Sequence, residues 1–202
     1  LHDALPISLV LLNAGSRITY SQGFGVGNRK IELIGEGYFE VKRNEEVPFL
    51  VKTNSLLVKV LGTKFNFRDY PDDAEAIVSL SEGKVALNNL LKKEKEAFLL
   101  PNERVVLNKK NGRMHVEYST VSNALQWTNG YLFFDEELLP DVVKELERSY
   151  NVKIQIASDT LNTFRFYGNF VHREQNIQEV LEALSATRKI HYIIEGHNII
   201  LY

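Results

Sequence analysis

Apolar residues change their spacing partway along this chain, and that change limits the folds open to it. From Ser8 to about Tyr118 they recur at every second position. Ile31 and Leu33 flank Glu32, Phe65 and Phe67 flank Asn66, and Met114, Val116 and Tyr118 alternate with His115 and Glu117. A period of two is that of strands with one face in a core. Turn residues interrupt the runs at Gly35-Glu36-Gly37, Pro71-Asp72-Asp73, Ser81-Glu82-Gly83, Pro101-Asn102-Glu103 and Asn111-Gly112. Glycine supplies positive φ there, proline presets φ, and Asx side chains satisfy the turn backbone. The spacing predicts an all-β domain over residues 8–126, an antiparallel roll or superhelical sheet, with no helix before residue 135.

Beyond that point the period lengthens. Leu139, Val142, Val143, Leu146 and Tyr150 form one helical stripe, with Pro140 in the first turn and acids crowding the N-terminal end. Ile177, Val180, Leu181 and Leu184 form a second stripe, and Asn176 with Glu179 has the spacing of a capping box. Displacing the first stripe by 38 positions superposes it on the second, and it also lays Leu132 on Phe170, Ile154 on Tyr192 and Ile156 on Ile194. This pattern predicts a small α+β domain over residues 127–202. It would consist of duplicated βαβ units closing one sheet with both helices on one face.

Charge and composition narrow the function. With 24 basic and 26 acidic residues the formal net charge is −2, and no basic patch stands out, so a nucleic-acid partner is not expected. There is no cysteine, which removes thiolate catalysis, Cys-ligated zinc and disulfides. No apolar run approaches the roughly 18 residues of a membrane helix. The chain opens at Leu1 without a signal-peptide pattern, and we read it as a piece of a longer protein.

Constellations that carry chemistry are sparse. The Gly-rich segment Gly23-Phe24-Gly25-Val26-Gly27 lacks the following helix and Gly-Lys-Ser/Thr of a phosphate cradle. His2, His115, His172, His191 and His197 form no close pair of the kind that seeds a metal site. No cofactor, metal or small-molecule substrate is expected, and the chain does not read as an enzyme.

One set of motifs points to a family. It comprises Leu12-Asn13-Ala14-Gly15-Ser16, Ile31-Glu32-Leu33-Ile34-Gly35-Glu36-Gly37-Tyr38-Phe39-Glu40-Val41 and Pro48-Phe49-Leu50-Val51-Lys52-Thr53. Val60-Leu61-Gly62-Thr63-Lys64-Phe65-Asn66-Phe67, Trp127-Thr128-Asn129-Gly130 and Leu146-Glu147-Arg148-Ser149-Tyr150-Asn151-Val152 complete it. With these in order, the chain resembles the periplasmic part of the FecR family of transmembrane anti-sigma factors, in the form common in Bacteroidetes. Its last third is similar to the secretin/TonB short N-terminal fold. Leu5-Pro6-Ile7 stands where the family has a Pro-Asp-Gly turn, so residues 1–7 are expected to be a non-native or disordered leader.

The resemblance implies a relay at the periplasmic face of the inner membrane. The periplasmic signalling domain of an outer-membrane TonB-dependent transporter contacts this region. Periplasmic and intramembrane proteases then act, and an extracytoplasmic-function sigma factor, held by a cytoplasmic segment absent here, is released. A sensor of this kind needs a docking surface, and a strand edge offers unpaired backbone groups. The expected edge runs from Phe164 to Phe170, with Arg165, Tyr167, Gly168 and Asn169 as partner-binding candidates. Phe164, Phe166 and Phe170 themselves have the spacing of core residues. Gly62-Thr63 resembles the pair at which some family members cleave themselves by an N–O acyl shift, but no activating base is identifiable, and a bulge glycine followed by an ordinary strand residue is the favoured reading. Two other readings stay open: an assembly module of a secretin-like envelope complex, and a carbohydrate-binding β-domain, which needs exposed aromatics such as Tyr20, Tyr38 and Tyr70.

Overall fold

The structure, a computed structural model, describes residues 8–119 and 121–202. Residues 1–7, expected to be a leader, lie outside the described residues. The chain forms two compact units, the first ending at Leu125 and the second spanning Gln126–Tyr202.

The described residues of the first unit form eleven strands: β1 (Leu9–Leu12), β2 (Arg17–Tyr20), β3 (Arg29–Val41), β4 (Phe49–Lys52), β5 (Leu56–Val60), β6 (Thr63–Asp69), β7 (Glu75–Glu82), β8 (Val85–Asn89), β9 (Ala97–Leu99), β10 (Glu103–Asn108) and β11 (Met114–Tyr118). They join in the order β11-β10-β7-β6-β3-β4-β5-β8-β9, with β1 and β2 also on β3. Strand β3 is the hinge of this arrangement. Its first half pairs with β2 and β4, and from Gly35 onward it pairs with β6 and β1.

Gly35-Glu36-Gly37, expected as a turn, therefore lies inside β3. Gly35 has φ +100, and a Cβ there would sit 2.4 Å from Ser16 Oγ, which accepts a 2.8 Å hydrogen bond from the Glu36 N–H. Only glycine suits that backbone and that approach. The Glu36 carboxylate is buried and accepts from Asn13 Nδ2 at 2.9 Å and Asn66 Nδ2 at 2.8 Å. Asn66 is thus buried between Phe65 and Phe67, because a buried carboxylate needs donors.

The expected antiparallel pattern has one exception, the parallel pairing of β3 with β4. The chain returns from the end of β3 to lie beside its start. Buried Arg29 fastens the return by donating from Nε to Val47 O at 2.9 Å and from Nη1 to Lys42 O at 3.1 Å. This unit has an aromatic and aliphatic core in which Phe39, Phe49, Phe65 and Phe67 are fully buried, Phe39 stacking on Phe65 at 4.9 Å. Removing one such ring costs about 3–5 kcal/mol.

A single-turn helix α1 (Val121–Ala124) and a 3-10 turn (Gln126–Asn129) follow, where no helix was expected. Both are too short to carry a period of 3.6. The second unit then runs β12 (Tyr131–Leu138), α2 (Leu139–Tyr150), β13 (Lys153–Ile156), a 3-10 turn (Asp159–Thr163), β14 (Arg165–Val171), α3 (Ile177–Ser185), β15 (Tyr192–Glu195) and β16 (Asn198–Leu201). Both predicted helices form. Leu139, Val142, Val143 and Leu146 of α2, and Val180, Leu181 and Leu184 of α3, are buried in one core. The Asn176–Glu179 capping box is made in both directions.

The order strand–helix–strand recurs, but the expected βαβ units closing one sheet are not what forms. Strands β12 and β14 make a two-stranded antiparallel ribbon, while β13, β16 and β15 make a separate three-stranded sheet. The strands flanking each helix thus belong to different sheets. The 38-residue displacement reports the order of elements, not their pairing. It does have a spatial trace, since Leu132 lies directly opposite Phe170 in the ribbon.

Candidate protein-docking edge

Strand β14 carries the sequence-predicted site. Its pairing with β12 determines which backbone groups are used. Leu139 N donates to Phe164 O at 2.8 Å and His172 N to Gly130 O at 2.9 Å. In an antiparallel pair, hydrogen-bonded residues alternate with residues that point the other way. The even-numbered residues from 164 to 172 therefore bond to β12. The N–H and C=O of Arg165, Tyr167 and Asn169 turn to the opposite edge. Val171 belongs to the same outward set, and its N–H is met by Gln175 Oε1 at 2.8 Å. Among the described residues β12 is the only strand paired with β14.

Side chains alternate in step. Phe166 and Phe170 are buried, their rings parallel and 6.2 Å apart, and Phe164 packs against the same core. Arg165, Tyr167 and Asn169 are exposed, Tyr167 at 58%. Gly168 belongs with the inward set. A Cβ there would come within 2.6 Å of Phe166 Cε1 and 2.9 Å of Phe170 Cε2, so the residue serves ring packing.

Arg165 and Tyr167 also hold a β-bulge in β12. Phe134 lies opposite Gly168 and Glu137 opposite Phe166, which leaves Asp135 and Glu136 facing Tyr167. Glu136 has φ +54, a conformation that costs a non-glycine residue about 1 kcal/mol. Arg165 Nη1 donates to Glu136 O at 2.5 Å, and the Tyr167 hydroxyl donates to Glu136 Oε1. That hydrogen bond, with the negative charge of Glu136 and Asp135, holds the phenol above its usual pKa. Sequence reasoning named these two residues but not Glu136, because a bulge on a neighbouring strand leaves no local signal.

A cleft of about 510 Å³ opens at the start of β14, lined by Thr160, Leu161, Thr163, Phe164, Arg165 and Lys189. Lys189 Nζ lies 5.5 Å from the centre of the Phe164 ring. Lys189 was not singled out in the sequence, since it follows α3 and meets β14 only through the fold.

Gly62 and Thr63 lie elsewhere, in the crossing from β5 to β6. Thr63 is 3% exposed, and its hydroxyl donates to Lys84 O at 3.2 Å. Gly62 abuts the Arg43 backbone. The irregularity in the β6–β7 pairing falls one step further on, between Lys64 and Phe65. Of the three tyrosines named for sugar stacking, Tyr20 is exposed, while Tyr38 and Tyr70 are buried. Among the described residues no cluster of His, Asp and Glu is grouped to hold a metal, and no helix is long and apolar enough to cross a membrane.

Comparison with known proteins gives two family matches. The FecR protein family matches residues 6–86, and the C-terminal domain of FecR matches residues 131–201. Two crystal structures of a candidate anti-sigma factor from Parabacteroides distasonis ATCC 8503 are similar over nearly the whole chain. Each is 33% identical in sequence. They cover 96% of this chain and 90% and 89% of theirs, with TM-scores of 0.86 and 0.85. No curated protein matches.

Proposed function

This chain belongs to the FecR family of anti-sigma factors, and from that premise we propose that it receives a periplasmic signal through protein–protein contact. Residues 8–126 act as the rigid scaffold and residues 127–202 as the docking part. The partner is the periplasmic signalling domain of an outer-membrane TonB-dependent transporter. Its arrival is relayed, through periplasmic and intramembrane proteolysis, to an extracytoplasmic-function sigma factor held on the cytoplasmic side. The role is non-enzymatic, and the Thr63 hydroxyl, engaged with Lys84 O, is read as structural.

The observation that carries this reading is the outward edge of β14. Backbone groups of Arg165, Tyr167 and Asn169 point away from β12, and their side chains are exposed beside them. An added strand would satisfy those groups and read those side chains together. The carbohydrate reading is weakened by the burial of Tyr38 and Tyr70.

Asn169→Pro tests the edge. Proline there removes one outward N–H and leaves the bonds to β12 intact, a placement that edge strands tolerate. Binding to the signalling domain of the TonB-dependent transporter partner should weaken about ten-fold or more, with an unchanged circular dichroism spectrum. Equal affinity in a folded variant overturns docking at β14.

A further inference from the structure

We infer that the cleft at the start of β14 takes a carboxylate side chain from an extended acidic segment of the partner protein. This rests on the reading of β14 as the docking edge and names the chemistry of what docks there.

Both charged residues lining the cleft are cations, Arg165 and Lys189. Among the described residues neither has a carboxylate within ion-pair distance. Arg165 uses one N–H on Glu136 O and keeps further donors in its planar fork. Lys189 faces the Phe164 ring, a contact that orients the ammonium without neutralising it. The polar wall already has partners of its own: the Thr163 hydroxyl donates to Thr160 O at 3.2 Å, and Thr160 Oγ1 lies 2.8 Å from Ser158 Oγ. The carboxylate of Glu136 on the bulge is engaged by the Tyr167 hydroxyl. The cleft is thus a preformed pocket with two cations and no anion of its own.

The cleft is continuous with the strand edge, because Arg165 belongs to both. A strand laid along β14 places the side chain opposite Arg165 about 5 Å away, Cβ to Cβ, on the exposed face. An aspartate or glutamate there enters the cleft that Arg165 and Lys189 both line. The next side chain on that face, two residues along, falls beside Tyr167. The recognised pattern is therefore one acid followed, at strand spacing, by a residue that packs on an aromatic ring.

Backbone-amide NMR on the whole chain tests this with two blocked pentapeptides, acetyl-Thr-Val-Glu-Val-Thr-amide and its glutamine counterpart, each titrated to about 10 mM. The glutamate peptide should shift the amides of Phe164, Arg165, Tyr167, Asn169 and Lys189. The glutamine peptide should bind about five-fold or more weakly, and Lys189→Glu should erase the preference. Equal binding of the two peptides, shifts confined to other residues, or no shift from the glutamate peptide overturns the proposal. Asn169→Pro separates the two readings. If it abolishes binding of both peptides while they bind the unaltered chain alike, the edge stands and the acidic occupant falls.

Discussion

Residues of β3 show how single positions decide this fold. Gly35 carries the strand from one set of neighbours to the other, and Ser16 fills the space where a Cβ would stand. Gly35→Ala should cost about 2–4 kcal/mol, from the positive φ and from the clash. Adding Ser16→Gly should not restore stability, since the Ser16 Cα would still lie 2.9 Å from the new Cβ and the acceptor for Glu36 N is lost; denaturant unfolding of single and double variants checks this. Tyr38 gives a pH prediction. Burial first, then the hydrogen bond to Glu40 and the charges of Glu40 and Glu82, push its phenol up to about 12. The raised value means the folded state holds that proton more tightly than the unfolded chain does. Stability from this group is complete below the unfolded value of about 10 and is lost as pH rises to 12. The urea midpoint should fall across that window, and less steeply in Tyr38→Phe. The remaining slope belongs in part to Tyr150 and Tyr167, which are raised as well. None of this was legible in the sequence. Gly35-Glu36-Gly37 reads as a turn, and nothing local marks Glu36 as buried or Arg29 as the clamp on the β3–β4 return.

At the scale of elements the sequence was clearer. Helices α2 and α3 follow from their stripes, and the cap of α3 from two residues, because these signals are local and act within one turn. Asn176→Ala removes the side-chain acceptor for Glu179 N. It should cost about 1 kcal/mol, read as a lower midpoint in denaturant with an unchanged slope. Strands beyond Leu9 were legible as strands for the same reason. Their partners were not. The parallel β3–β4 pair, the bulge at Glu136 and the division of the second unit into two sheets all depend on residues far apart in sequence. The docking edge sits between these cases. Alternation along β14 pointed to Arg165, Tyr167 and Asn169, but Gly168 changed roles once β12 was in place, and Lys189 entered only with the end of α3. Gly168 serves the rings of Phe166 and Phe170, and Lys189 joins the cleft.

For the molecule as a whole, the described residues form two compact units, each with a core of its own. Family membership rests on both units, since one match lies in each. The function proposed for this chain reduces to one physical claim: the outward amides of β14 are kept open for another protein's strand. Hydrogen exchange with and without the transporter's signalling domain tests that claim most directly. The amides of Arg165, Tyr167 and Asn169 should exchange freely in the chain alone and become protected in the complex. A complex that forms while those three amides keep exchanging at their free rates would contradict the account.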